Sequence, residues 1–189
     1  MTQLVFLLEE PSARELLKGL IPRIVPEGTS VTYLVFEGKQ DLEKQLTMKI
    51  RAWRAPDSAF VVLRDQDQAD CKAVKRALEE RVAASGQSRV LIRVACRDLE
   101  AWVAGDLPAL AEAFDEPKLA THSTKERFRQ PDTLVRPVEA IRQILPEYQK
   151  IDGARRVGPF LNPEASHSKS FVNFCRGVQR LFASQSPTV

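Results

Sequence analysis

Asp65 and Asp67 stand one residue apart at the end of the apolar run Ala59-Phe60-Val61-Val62-Leu63-Arg64. A second apolar run, Leu4-Val5-Phe6-Leu7-Leu8, leads directly into Glu9-Glu10. Short runs rich in Val, Phe and Leu read as buried strands. Carboxylates at such ends resist burial as unpaired charges. A hard divalent cation takes oxygen ligands and lets them coexist. Mg or Mn held there would neutralise a phosphate and activate water or a hydroxyl nucleophile. Glu9, Asp65 and Asp67 are therefore the first metal-binding and catalytic candidates, with Glu10 and Asp70 as outer acids. Glu100, soon after the run Val90–Ala95, adds another strand-end carboxylate. Each acid also has an ordinary role open to it. Asp67 or Asp70 can cap the helix that begins near Ala69, and Glu10 can face the dipole of the helix at Ser12. Glu100 can serve the first turn of a helix capped by Asp98.

The elements that would carry these acids alternate between strand and helix. Strands are expected at 3–8, 31–36, 59–64 and 90–95, where apolar, β-branched and aromatic residues concentrate. Between them, Ser12-Ala13-Arg14-Glu15 has capping-box spacing, and Leu16, Leu17, Leu20 and Ile21 form a helical apolar face. A second helix is expected over 40–53 and a third over 69–85, with Gly86 just past its end. Strands joined by single helices imply crossover units and a mainly parallel sheet. Acids at the carboxyl ends of parallel strands then share one rim, where α/β sheets place their sites. Beyond Asp98 the pattern predicts short helices at 98–104, 106–114, 136–146 and 168–183, with a polar stretch at 115–135. Gly105-Asp106 reads as one helix's stop and the next one's cap. The tail from Ser184 to Val189 is expected to fray. The expected organisation is an α/β core over 1–105 with a helical extension, 106–189, packed on it as one unit.

The 189 residues suffice for a full core. With 43% hydrophobic and 28% charged residues, the composition is that of an ordinary globular protein rather than a disordered or membrane-spanning one. A net charge of +3 is too small to indicate nucleic-acid binding by itself. Cys71, Cys96 and Cys175 lack CxxC spacing, so neither a disulfide framework nor a zinc site is expected. The N-terminal run lacks the basic start and long apolar stretch of a signal peptide, and the expected location is the cytoplasm without a membrane contact.

Other motifs narrow the chemistry. Gly38-Lys39-Gln40-Asp41 puts a lysine near a helix N-terminus, an anion contact, although the spacing is not that of a P-loop. Lys72 and Arg129 join Lys39 as phosphate-contact candidates from charge and position. His122 and His167 have no Cys or His at ligand spacing and read as surface residues. Trp102 reads as core, and Ser168-Lys169-Ser170-Phe171 as a helix start. No G-x-S-x-G elbow and no G-x-G-x-x-G fingerprint occurs, which disfavours serine hydrolases and dinucleotide enzymes.

A strand-end glutamate followed by Asp-x-Asp after a later strand resembles the TOPRIM pattern of topoisomerases, primases and overcoming-lysogenisation-defect nucleases. More closely, the chain is similar to the bacterial family called domain of unknown function 4276, which is TOPRIM-like. The likeness rests on Leu8-Glu9-Glu10-Pro11-Ser12, Glu37-Gly38-Lys39-Gln40-Asp41-Leu42 and Arg64-Asp65-Gln66-Asp67-Gln68-Ala69-Asp70-Cys71-Lys72. It continues through Leu99-Glu100-Ala101-Trp102 with Gly105-Asp106, then Phe128-Arg129-Gln130-Pro131-Asp132, Tyr148-Gln149-Lys150 and Ser168-Lys169-Ser170-Phe171. The resemblance implies a TOPRIM-like Rossmann-type sheet of about four mainly parallel strands flanked by helices, with a helical C-terminal extension. Glu9 matches the TOPRIM glutamate, Asp65 and Asp67 its two metal-binding aspartates, and Glu100 an acid that recurs in the family. The implied activity is Mg- or Mn-dependent phosphodiester hydrolysis on DNA or RNA. Many relatives are encoded beside AAA-type or ABC-like ATPases in mobile or antiviral loci, which implies an ATPase partner. Glu10 stands where many TOPRIM proteins carry glycine, adding bulk and charge next to the implied metal. That departure supports the alternative, a non-catalytic adaptor subunit of an ATPase complex.

Overall fold

The computed structural model of the protein describes residues 3–183, so the expected fraying of Ser184–Val189 lies outside the described residues. Four strands, β1 (Gln3–Leu8), β2 (Ser30–Val35), β3 (Ser58–Asp65) and β4 (Val90–Ala95), form one sheet in the order β2-β1-β3-β4. Every pairing is parallel. The chain leaves β1 through helix α1 (Pro11–Leu20) to reach β2, then crosses by α2 (Lys39–Ala52) to β3 and by α3 (Cys71–Ala83) to β4. The α/β sheet flanked by helices expected from the sequence is thus present.

Why the central strands read as unbroken apolar runs is visible in their two faces. Leu4, Phe6 and Leu8 of β1 and Ala59, Val61 and Leu63 of β3 join one buried cluster with α1. Val5, Leu7, Phe60 and Val62 point the other way, against Leu42, Leu46 and Ile50 of α2 and Val74, Leu78 and Val82 of α3. Alternate side chains of a strand face opposite sides, so a strand covered on both must be apolar throughout.

After β4 come α4 (Glu100–Ala104), α5 (Leu107–Phe114), α6 (Lys118–Thr121), α7 (Glu126–Arg129), α8 (Pro137–Arg142), α9 (Lys150–Val157) and α10 (Lys169–Ala183). They pack on the face that α1 covers. Trp102 lies 4.9 Å from Phe174 and 5.3 Å from Phe171 between ring centroids, and Phe174 lies 6.5 Å from Phe6 of β1. One buried cluster therefore runs from the sheet into the C-terminal helices. Trp102 is completely buried, as its core reading requires, and its indole N–H donates to Ser170 Oγ at 2.9 Å.

Three local expectations need correction. Ser12 is not a helix cap: α1 begins at Pro11, behind Glu10, without a side-chain cap, and the Ser12 hydroxyl donates to the Glu10 carboxylate instead. Proline at the first helical position presets the backbone and lacks the N–H a cap would satisfy. Asp98 does not cap α4 either, since Leu99 occupies that position with helical dihedrals. Finally, helices stand where none is predicted: the short α6 and α7 within the polar stretch 115–135, and α9. The sequence of α9 carries Gly153 and four charged side chains, poor local signals, but Gly153, Ala154 and Val157 are buried by tertiary packing. Asp106 does cap α5, accepting from Ala109 N–H at 3.2 Å and from Asn162 N–H at 2.7 Å.

Candidate functional site

β1 sends its following helix toward β2, while β3 lies on its other side. The crevice at the carboxyl ends of β1 and β3 is thus the topological switch point, where open α/β sheets bind ligands. Register places the acids there. Leu8 pairs with Leu63 and with Val35, so Glu9 emerges beside the last residues of β3. Asp65 pairs with Ala95, and Glu100 opens α4 five residues later.

Glu9 and Asp65 meet directly: the Asp65 backbone N–H donates to Glu9 Oε2 at 3.1 Å. The loop after β2 is fastened to the same point, because Gly38 N–H donates to the Glu9 carbonyl at 3.1 Å. Gly38 has φ of 93°, a left-handed backbone open to glycine, which brings Lys39 to the rim as the first residue of α2. Lys39 Nζ lies 2.9 Å from Asp67 Oδ2. Asp67 itself has φ of 56°, tolerated by aspartate in a tight turn, and its N–H donates to the Arg97 carbonyl at 2.8 Å.

A second group centres on Lys150, the first residue of α9. Its Nζ stands 3.1 Å from Glu10 Oε2 and 3.6 Å from Glu100 Oε2. Glu100 is 1% exposed, and neither of its carboxylate oxygens accepts a hydrogen bond. The buried Tyr148 hydroxyl, two residues before Lys150, also lacks a partner.

Burial and crowding of like charge set the protonation of this rim. Burial first, then the charges of Glu10, Glu100 and Glu9, holds the Asp65 carboxyl well above the ordinary carboxylate range, with Lys150 opposing. Burial pushes Glu100 up to about 7 against the pull of Lys150. Glu9 is raised by burial despite the Asp65 N–H bond. Burial alone would lower the Lys150 ammonium, but Glu100, Glu10 and Asp65 together outweigh it and raise it.

The structure thus brings Glu9, Asp65, Glu10 and Glu100 to one rim, with Asp67 and Lys39 as a neighbouring pair. It does not bring all the candidates together. Asp70 caps α3, accepting from Ala73 N–H at 2.8 Å. Lys72 is exposed on the first turn of α3. Arg129, exposed on α7, donates through Nε to the Thr124 carbonyl at 3.0 Å, a contact within its own segment. His167 is exposed, with Nδ1 3.2 Å from the Phe128 carbonyl.

Two residues of the rim were assigned no role by the sequence. Arg64, 7% exposed, lies 2.6 Å from Glu43, 3.8 Å from Glu9 and 3.9 Å from Asp67. Its place as the one charged residue inside an apolar run was the available signal, because a charge buried in a strand needs partners. Lys150 stood only within the Tyr148-Gln149-Lys150 block, and nothing local marks a lysine that crosses to a distant strand end.

As a donor set, these carboxylates suit a hard divalent cation: oxygens only, crowded like charge, and two Glu100 oxygens that accept no hydrogen bond. Their side chains do not converge in the structure: among the described residues, no three Asp, Glu, His or Cys side chains form a metal-holding group. Lys150 supplies counter-charge to Glu10 and Glu100 instead. Also among the described residues, no helix is long and apolar enough to cross a membrane.

Comparison with curated proteins and with solved structures returns no match. The sequence profile of the family described as "Domain of unknown function (DUF4276)" matches residues 8–179, from the end of β1 into α10. With that match spanning nearly all of the sheet and the helices packed on it, the chain belongs to the DUF4276 family.

Proposed function

We propose that the protein is a divalent-metal-dependent phosphodiesterase acting on nucleic acid, with a TOPRIM-like set of acids. The observation that carries this reading is the placement of Glu9, Asp65 and Glu100 on one rim of the sheet, at the switch point, with both Glu100 oxygens buried and accepting no hydrogen bond. Glu9, Asp65 and Glu100 would hold Mg or Mn, with Asp67 beside them. When bound, the ion would supply Lewis-acid stabilisation of phosphate oxygens and a water of lowered pKa as nucleophile. The chain's own residues do the positioning. The Asp65 N–H and Arg64 orient the Glu9 carboxylate, and Arg64 is itself braced by Glu43. Lys39, half-exposed beside Asp67, is placed to meet a phosphate.

A second reading, a non-catalytic adaptor lending this fold to an AAA-type or ABC-like ATPase, is favoured by one observation. Lys39 already neutralises Asp67, and Lys150 already bridges Glu10 and Glu100. The test uses purified protein with Mn²⁺ or Mg²⁺ and a mixed DNA and RNA panel, beside Glu9→Gln and Asp65→Asn checked for folding by circular dichroism. The expected result is metal-dependent cleavage by the wild type, reduced about 10²-fold or more in each variant. Calorimetric titration with Mn²⁺ accompanies it. A folded wild type that neither cleaves nor binds Mn²⁺ removes the phosphodiesterase reading and leaves the adaptor.

A further inference from the structure

Cys71 and Cys96, 25 positions apart in sequence, are neighbours in the structure, close enough for the Cys71 thiol to act on that of Cys96. Both are half-buried, whereas Cys175 is sealed in the core. Backbone bonds hold the two segments side by side. Gln66 N–H donates to the Ala95 carbonyl at 2.9 Å and Asp67 N–H to the Arg97 carbonyl at 2.8 Å, continuing the ladder of β3 and β4 past the strand ends. Cys71 then opens α3 directly behind its cap Asp70, and Cys96 follows β4. Cys96 is further steadied by its N–H, 3.5 Å from Ser170 Oγ, a hydroxyl that also receives the Trp102 indole N–H. Two partly accessible thiols thus stand on adjoining segments anchored to each other, and proximity of that kind is what disulfide formation requires.

We propose that Cys71 and Cys96 form a reversible intramolecular disulfide when the protein meets a peroxide. The Cys71 sulfur is the first nucleophile. It is partly open to solvent at the first turn of a thirteen-residue helix, beside the exposed Lys72. Burial, with Asp132 and Cys71 adding to it, pushes the Cys96 thiol up to about 11, so Cys96 stays protonated until the first step has made a hydroxide beside it. The Cys71 thiolate attacks one peroxide oxygen, the O–O bond breaks, and a sulfenic acid and hydroxide result. Cys96 gives its proton to the hydroxide, its sulfur attacks Cys71 sulfur, and the S–O bond breaks to release a second hydroxide, which takes from solvent the proton that Cys71 had lost and leaves as water. Two thiols and one hydrogen peroxide thus become one disulfide and two waters. A dithiol reductant restores both thiols by exchange. The bond ties the first turn of α3 to the exit of β4 and brackets the loop that carries Asp67, so it lies next to the acid rim without using it.

The test treats the full chain with a small excess of hydrogen peroxide, quenches with N-ethylmaleimide in denaturant, and reads intact mass and peptide maps. The expected product is a monomer lighter by two hydrogens, with a Cys71–Cys96 cross-linked peptide, an alkylated Cys175, and full reversal by dithiothreitol. Oxidation should also raise the Tm of the wild type and leave that of Cys96→Ala unchanged. Three alkylated thiols after peroxide treatment, separate sulfinic acids on Cys71 and Cys96, or cross-links between chains would each overturn the proposal. None of these readouts depends on nuclease activity or on metal.

Discussion

An ionised carboxylate sealed from water is held by whatever cation stands near it, and Glu100 has Lys150 Nζ at 3.6 Å and no hydrogen-bond donor. Burial raises its folded-state pKa from the ordinary 4.5 to about 7, with Lys150 opposing the rise. Across that window the folded protein binds more protons than the unfolded chain, so stability falls as pH rises from 4.5 through about 7. Asp65 and Glu9, raised by burial, act in the same direction. In metal-free protein, Glu100→Gln should flatten this slope and stabilise the fold at pH 8 by about 2 kcal/mol. Urea melts of both proteins at pH 5 and pH 8, with chelator present, check it; equal slopes would show that Glu100 is not strained by its burial. At this scale the sequence already marked Glu9, Asp65 and Glu100, because charge directly after an apolar strand is conspicuous. Lys150 was invisible as a partner, since its contact with Glu10 spans 140 positions.

The backbone of α1 touches the chain just past the end of α9, at Gly158 and Pro159. A Cβ on Gly19 would stand 2.6 Å from the Pro159 nitrogen and 2.8 Å from the Gly158 carbonyl carbon. Neither atom can rotate away. Gly19→Ala should therefore destabilise the protein by about 1–3 kcal/mol even though alanine is the better helix former. Thermal denaturation measures it, and a variant as stable as the wild type would mean that the helices part easily. The strands and α1 to α3 were readable because their periodicity agrees with their burial. Helix α9 was not, because a glycine needed for close packing is locally a helix breaker. The Ser12 capping box failed for a related reason: Pro11 starts the helix two residues earlier than a Ser12 cap would, and serine turns to Glu10.

Across the whole molecule, Phe174 of α10 joins the extension to the sheet, touching both Trp102 and Phe6. Phe174→Ala should cost about 3–5 kcal/mol by leaving a cavity between them. Because one core is shared, unfolding should remain a single cooperative transition. Separate transitions for the residues before and after 105, seen by calorimetry, would instead mark two units. What the sequence determined by itself was the parallel α/β sheet and the acids at its strand ends. Both follow from local rules, since strand periodicity shows burial on two faces and a parallel sheet brings every carboxyl end to one side. Only the tertiary structure decided which acids share the crevice, that Lys150 and Arg64 neutralise them, and that two distant cysteines become neighbours. Those contacts depend on strand order and helix packing, which no local pattern of residues encodes.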